Sequence, residues 1–149
     1  MNISEDLVKA IVKELLNQMR TQAGEDFVKE TDKTSGILVV RGDTVKTEAF
    51  EGREDVKLKD IVTLQEAPRM GAGIMELVDS ADFEWTLTYD EFDYVIDGTL
   101  DIKIDGGNVI RGNKGDIILI PKGSHIHFST PNSTRYAYFV YPANWQELA

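Results

Sequence analysis

Apolar residues recur at helical spacing along only one stretch of the chain, where Ile3, Leu7, Val8, Ile11, Val12, Leu15, Leu16 and Met19 fall on one side of a 3.6-residue repeat. Ser4 stands where it can cap the first turn, and Glu5 and Asp6 suit the positive end of the helix dipole. The pattern predicts an amphipathic helix over residues 1–20. Residues 21–35 are polar, with Gly24 inside the stretch and Gly36 just past it, and read as a linker or extended arm.

From Gly36 onward the texture changes to short β-rich runs broken by turn signals: ILVVRG, TVKTEAF, VKLKDIVTL, GIMELV, FEWTLTY, FDYVI, TLDIKI, NVIRG, IILIP, HIHFST and RYAYFVY. Runs of this kind with no second helical pattern indicate an all-β antiparallel sandwich or barrel over residues 36–149. Thr99–Asp105 alternates, with Leu100, Ile102 and Ile104 on one face and Asp101 and Lys103 on the other, and Asp105–Asn108 supplies a hairpin turn. Ile117–Ile120 is apolar without alternation, which suggests cover on both faces. In one small sandwich the outer cover has to come from a second copy, so a homodimer is expected.

Composition narrows the partners. Twenty-six acids against sixteen Lys and Arg give a net charge of −10, a sign that repels phosphate backbones and anionic lipid surfaces. Nucleic acid and membrane partners are therefore not expected. There is no cysteine, which removes disulfides, thiolate ligands and a cysteine nucleophile together. The start MNISEDLVKA has no basic region followed by an apolar run, so a cytoplasmic location is the expectation.

Two spacings then carry a resemblance. Glu91 followed after six residues by Gly98, and Gly115 followed after five by Pro121, Lys122 and Gly123, resemble the two conserved motifs of cupins. The stretches DFEWTLTYDEFDYVIDGTLDI, GDIILIPKGSHIHFSTP and YFVYPANWQ are similar to the cupin domain of the ethanolamine-utilisation EutQ family, found with bacterial microcompartment operons. The resemblance implies a cupin (RmlC-like) jelly-roll barrel. It also implies a role in ethanolamine breakdown, with acetate kinase activity that uses ATP/ADP and Mg2+. Longer family members carry a larger N-terminal region, where this chain has the helix and linker. The N-terminal helix resembles the short helices that direct cargo into microcompartments, which would make the chain microcompartment-associated through shell or enzyme partners.

Metal-binding cupins use two histidines and the glutamate of the first motif with a histidine of the second. Here the first-motif slots fall on Trp85 and Leu87 or on Glu84 and Thr86, and the second-motif slot falls on Ile126 between His125 and His127. Strand side chains alternate faces, so an inward Ile126 turns both histidines outward. No tightly bound transition metal is expected, although a bulge in the preceding turn would bring both imidazoles in beside Glu91.

The candidate catalytic residues are Glu91, Tyr89, Glu84 and Asp93, with Trp85, Leu87 and Ile126 lining the pocket. A carboxylate inside a barrel costs several kcal/mol unless it is hydrogen-bonded, hydrated or used, which favours a role for Glu91. Its structural alternative is an anchor for the turn before Gly98. Asp93 has the weaker case, because an acid at a sandwich rim is usually solvated. Tyr94, Phe92 and Ile96 have the opposite parity and read as facing a partner sheet. A pocket of Glu84, Glu91 and Asp93 repels ATP and acetyl phosphate unless Mg2+ bridges them, with Lys122, Arg135 and Arg69 as the basic groups available. The alternative to a kinase is a non-catalytic cupin that binds a small molecule or joins enzymes to a shell.

Overall fold

The computed structural model describes residues 4–11 and 27–148. The chain divides into two units, Met1–Val45 and Lys46–Ala149. In the first, residues 5–11 are helical (α1): Ser4 Oγ accepts from the Leu7 amide at 3.1 Å, and Glu5 pairs with Lys9 one turn on at 3.6 Å. The rest of the expected helix, 12–20, lies outside the described residues. Part of the expected arm is ordered as a hairpin. Strand β1 (Lys29–Thr31) pairs antiparallel with β2 (Leu38–Val40), and Asp32 Oδ2 closes the turn by accepting from the Ser35 amide and hydroxyl at 2.8 and 2.6 Å.

The second unit is a nine-stranded antiparallel sheet curled around an apolar core. Its strands are β3 (Glu48–Phe50), β4 (Arg53–Asp60), β5 (Gly71–Leu77), β6 (Asp82–Thr86), β7 (Asp90–Ile104), β8 (Val109–Asn113), β9 (Ile117–Ile120), β10 (His125–Ser129) and β11 (Thr134–Tyr141), followed by the short helix α2 (Trp145–Leu148). The order across the sheet is β3-β4-β5-β11-β7-β10-β6, with β8 and β9 also on β7.

FDYVI and TLDIKI, read from the sequence as separate runs, form one 15-residue strand. The first half of β7 pairs with β9 and β11 and the second half with β8 and β10, so this strand carries the chain around the corner of the barrel. Gly98 sits at that corner with φ +73°, and a Cβ there would lie 2.1 Å from the Ser133 carbonyl oxygen. Only glycine satisfies both the backbone angle and the approach.

Strand alternation puts Val56, Leu77, Leu87, Val95, Leu100, Ile102, Ile126, Phe128, Tyr136 and Val140 into the core. Ile117–Ile120 alternates after all: Ile118 and Ile120 are buried, while Ile117 and Leu119 are 67% and 54% exposed. The absence of polar residues on its outer side belongs to a wider feature. Phe92 lies opposite Leu119 of β9 and Phe139 of β11, and Tyr94 lies opposite Ile117 and Ala137. Phe92, Tyr94, Ile117, Leu119, Phe139 and Tyr141 are all exposed, so the outer face of β9-β7-β11 is a continuous apolar surface.

Candidate functional site

Tyr89, Glu91, Asp93 and Val95 alternate with Asp90, Phe92 and Tyr94, and it is the first set that points into the barrel. Glu91 is 5% exposed and Asp93 is completely buried. Neither oxygen of Asp93 has a hydrogen-bond partner other than the Glu91 carboxyl among the described residues. The groups electrostatically coupled to the pair are Tyr89, Tyr136 and Tyr138, none of them cationic at neutral pH. Burial pushes the Glu91 carboxyl up to about 7, and burial and then the Glu91 charge push Asp93 well above the usual carboxylate range. Two such groups share a proton at neutral pH, because ionising both puts like charges together in a low dielectric.

Glu91 forms part of the wall of a chamber otherwise lined by Phe50, Leu58, Met75, Phe83, Trp85, Tyr89, Phe128, Tyr138 and Trp145. The chamber is small, about 20 Å³ measured for the centre of a water molecule. That is room for one or two waters or the head of a small ligand. The Trp85 indole N–H donates to the Tyr89 hydroxyl at 2.7 Å, fixing both rings on one side. The Tyr138 hydroxyl donates to Asp60 Oδ1 at 2.6 Å, and Tyr138 occupies space left by Gly73, where a Cβ would lie 2.1 Å from the ring.

Trp145, contributed by α2, closes the remaining side. Its ring centroid is 5.5 Å from Tyr89, 6.2 Å from Tyr138, 6.3 Å from Trp85 and 6.4 Å from Phe50. In the sequence this residue stands in YFVYPANWQ, where nothing local marks its role. Its part in the wall depends on contacts with strands more than fifty residues away, and only its position shortly after the final strand could have signalled it. Phe50, Trp85 and Trp145 also line an outer recess of about 370 Å³ with Glu51 and Gln146, so the two spaces share these three wall residues.

The other expected site residues are placed as follows. Glu84 does not join the chamber: β6 alternates, Phe83 and Trp85 point in, and Glu84 projects outward, where its two oxygens lie 3.4 Å from His125 Nε2 and 3.5 Å from His127 Nε2. Asp93, expected to be solvated at a rim, is instead buried, because β7 continues eleven residues past it to Ile104 and the rim lies elsewhere. Leu87 and Ile126 are packed in the core and do not line the chamber. Glu76 accepts from Arg135 and from Thr47, at 2.8 and 2.7 Å. Arg135 is thereby drawn to Glu76, Arg69 and Lys122 are exposed, and none of the three lines the chamber or the recess.

The parity of β10 is as read from the sequence. Ile126 is buried and pairs with Trp85 and Ile104, while His125 and His127 face outward toward Asp105 and Asp82 through their Nδ1 atoms. The imidazoles thus lie on the opposite side of the sheet from Glu91. Among the described residues no group of three His, Cys, Asp or Glu side chains is arranged to hold a metal ion. A triphosphate finds no cationic partner in the lining of either space, so these walls do not fit ATP by themselves.

Comparison with known proteins adds the family. Residues 1–147 match the family described as "Ethanolamine utilisation protein EutQ". The chain belongs to the EutQ family. It is 43% identical to the Clostridioides difficile protein named "Acetate kinase EutQ", over 97% of this chain and 95% of that one. It is 40% identical to the Salmonella typhimurium protein of the same name, again over 97% of this chain but only 65% of the relative, so it spans less than two thirds of that longer EutQ protein.

Among solved structures, the Clostridium difficile EutQ protein superposes with a TM-score of 0.77 at 45% identity, covering 84% of this chain and 93% of that one. The cupin domain of Schizosaccharomyces pombe Cnp3 superposes at 0.59 with 13% identity, covering 83% and 89%, which shows the cupin fold and nothing more. The all-β cupin architecture and the EutQ resemblance read from the sequence both stand.

Proposed function

We propose that this EutQ-family cupin acts in ethanolamine utilisation as an acetate kinase, interconverting acetate plus ATP with acetyl phosphate plus ADP. The observation that carries this reading is the 43% identity, nearly end to end, with a protein named for that activity. In the forward direction an acetate oxygen forms the new bond to the γ-phosphorus, the bond to the ADP oxygen breaks, and Mg2+ balances the charge on the phosphates. No step is assigned to a residue, since the lining of the chamber supplies no partner for phosphate. Purified protein given acetate, ATP and Mg2+ should form acetyl phosphate, trapped as the hydroxamate. Absence of turnover in protein free of contaminating kinases contradicts the reading.

A second reading is favoured by the chamber itself. A small aromatic space walled in part by the buried Glu91 carboxyl and by no cation suits a small molecule better than a nucleotide, which supports a ligand-binding cupin. For partners we infer a homodimer formed through the apolar outer face of β9-β7-β11, where Phe92, Ile117, Leu119 and Phe139 are exposed side by side. The exposed Leu7, Val8 and Ile11 of α1 support docking of the N-terminal helix on a partner, for which a microcompartment shell protein is the expectation. Among the described residues no helix is long and apolar enough to cross a membrane. A cytoplasmic, microcompartment-associated location follows from this reading. A reporter fused to residues 1–20 should gather in puncta in shell-producing cells, and a diffuse reporter contradicts it.

A further inference from the structure

We propose that the chamber inside the barrel binds a small organic ammonium cation, an alkylammonium of a few heavy atoms, paired with the Glu91 carboxylate and enclosed by the rings of Trp85, Tyr89 and Trp145. This rests on the ligand-binding reading of the barrel and names the chemistry of the ligand.

Four observations lead there. First, Glu91 and Asp93 are removed from water, and Asp93 has no hydrogen-bond partner but the Glu91 carboxyl among the described residues. A carboxyl pair in that condition costs the fold several kcal/mol, and an incoming cation relieves the cost, whereas an incoming anion adds to it. Second, the groups around the pair are acidic or neutral from every packed element: Tyr89 leading into β7, Tyr136 and Tyr138 on β11, and Asp60 of β4 behind Tyr138. Lys59 acts on Asp60 and is not part of the chamber wall.

Third, the rest of the wall is aromatic or aliphatic. The rings of Trp85, Tyr89, Trp145, Phe50, Phe83 and Tyr138 offer negative faces to a cation but no oxygen shell for a bare metal ion. An alkylammonium needs one carboxylate and ring faces, which is what the wall supplies. Fourth, the space is graded in size. The inner chamber admits a head group of water-like dimensions, and the recess that shares Phe50, Trp85 and Trp145 with it, and carries another acid at Glu51, has room for a tail.

The chain has two tryptophans, Trp85 and Trp145, and both line the chamber, so intrinsic fluorescence reports its occupancy. The full chain is titrated with ethanolammonium chloride and, separately, with sodium acetate at matched ionic strength. The expected result is a saturable fluorescence change with ethanolammonium and none with acetate. An alkylammonium has a pKa of about 10 and stays charged between roughly pH 6 and 8. Its binding should therefore tighten as pH rises through that range and Glu91 ionises. Glu91→Gln should weaken binding at least tenfold, with a thermal melt confirming that the variant folds; if it does not fold, the pH dependence of the unmodified protein carries the same test. A saturable response to acetate that tightens as pH falls, with none to ethanolammonium, overturns the cation and keeps a ligand site. No response to either overturns both. Undiminished ammonium binding by folded Glu91→Gln overturns the role of the carboxylate.

Discussion

The two faces of the first half of β7 invert the usual rule. Toward the core the strand presents Glu91 and Asp93, and toward solvent it presents Phe92 and Tyr94. A strand on a lone, ligand-free barrel would carry the reverse set, because each buried acid costs energy and each exposed ring gains nothing. The second half of the same strand shows how the ordinary pattern looks: Leu100 and Ile102 are buried, and Asp101 is bridged by Arg111 at 2.8 Å through both oxygens. The contrast is the pattern expected if the proposed ligand lies within and a second copy covers the outside.

The largest effect is expected on the outer side. In solution the unmodified chain should be a dimer, and Phe92→Arg, which puts a charge at the middle of the apolar face, should weaken association on the order of a thousand-fold. Light scattering should show the mass halve. A mass unchanged by both Phe92→Arg and Leu119→Arg breaks the comparison on that side.

Gly98 holds the corner between the two halves. With φ +73° and no room beside Ser133, Gly98→Ala should cost about 2–4 kcal/mol in denaturant unfolding, since backbone strain and a backbone clash add. A loss below about 0.5 kcal/mol would mean that the corner relaxes easily and that the register on either side is less firmly set.

On the inner side, Asp93→Asn should stabilise the protein by about 1–3 kcal/mol at neutral pH, by removing a buried acid that must take up a proton on folding and whose partner is another acid. The sign with pH is fixed by the direction of the shifts. Carboxyls raised in the folded state favour folding fully below their unfolded value, and that advantage is lost as pH rises through the folded value, about 7 for Glu91. Stability of the unmodified chain should fall between about pH 4 and 7, and Asp93→Asn should flatten that fall. A steeper fall in the variant contradicts the burial account.

The smallest effect belongs to the outward histidines. Hydrogen bonding to Asp105 and then Glu84 raises His125, a contribution present below the unfolded value and lost as pH rises through the folded one. His125→Gln should lower the melting temperature slightly at about pH 5.5 and leave it unchanged at about pH 8.5.

Much of this was legible before any coordinates. Two-residue periodicity places Tyr89, Glu91 and Asp93 on one face, and the same rule turns His125 and His127 away once Ile126 is inside. What periodicity cannot supply is where along the barrel a residue sits. Asp93 looked like a rim acid because FDYVI and TLDIKI looked like two strands, and joining them moves it to the interior. Glu84 reads as a pocket acid because it lies near the same strands, yet its face is set by the pairing of β6 with β10, where it lies opposite His127. Trp145 enters the wall chiefly through contacts of long sequence separation, with Phe50, Trp85 and Tyr89, to which a local pattern is blind.

Carbon-13 NMR of the side-chain carboxyls across pH tests the claim that β7 turns an uncompensated acid pair inward. The account predicts one carboxyl titrating near 7, assigned to Glu91 through its loss in Glu91→Gln, with Asp93 well above its usual range and the Glu91 titration displaced downward by ethanolammonium. Two carboxyls that both titrate near the ordinary value of about 4 would contradict it.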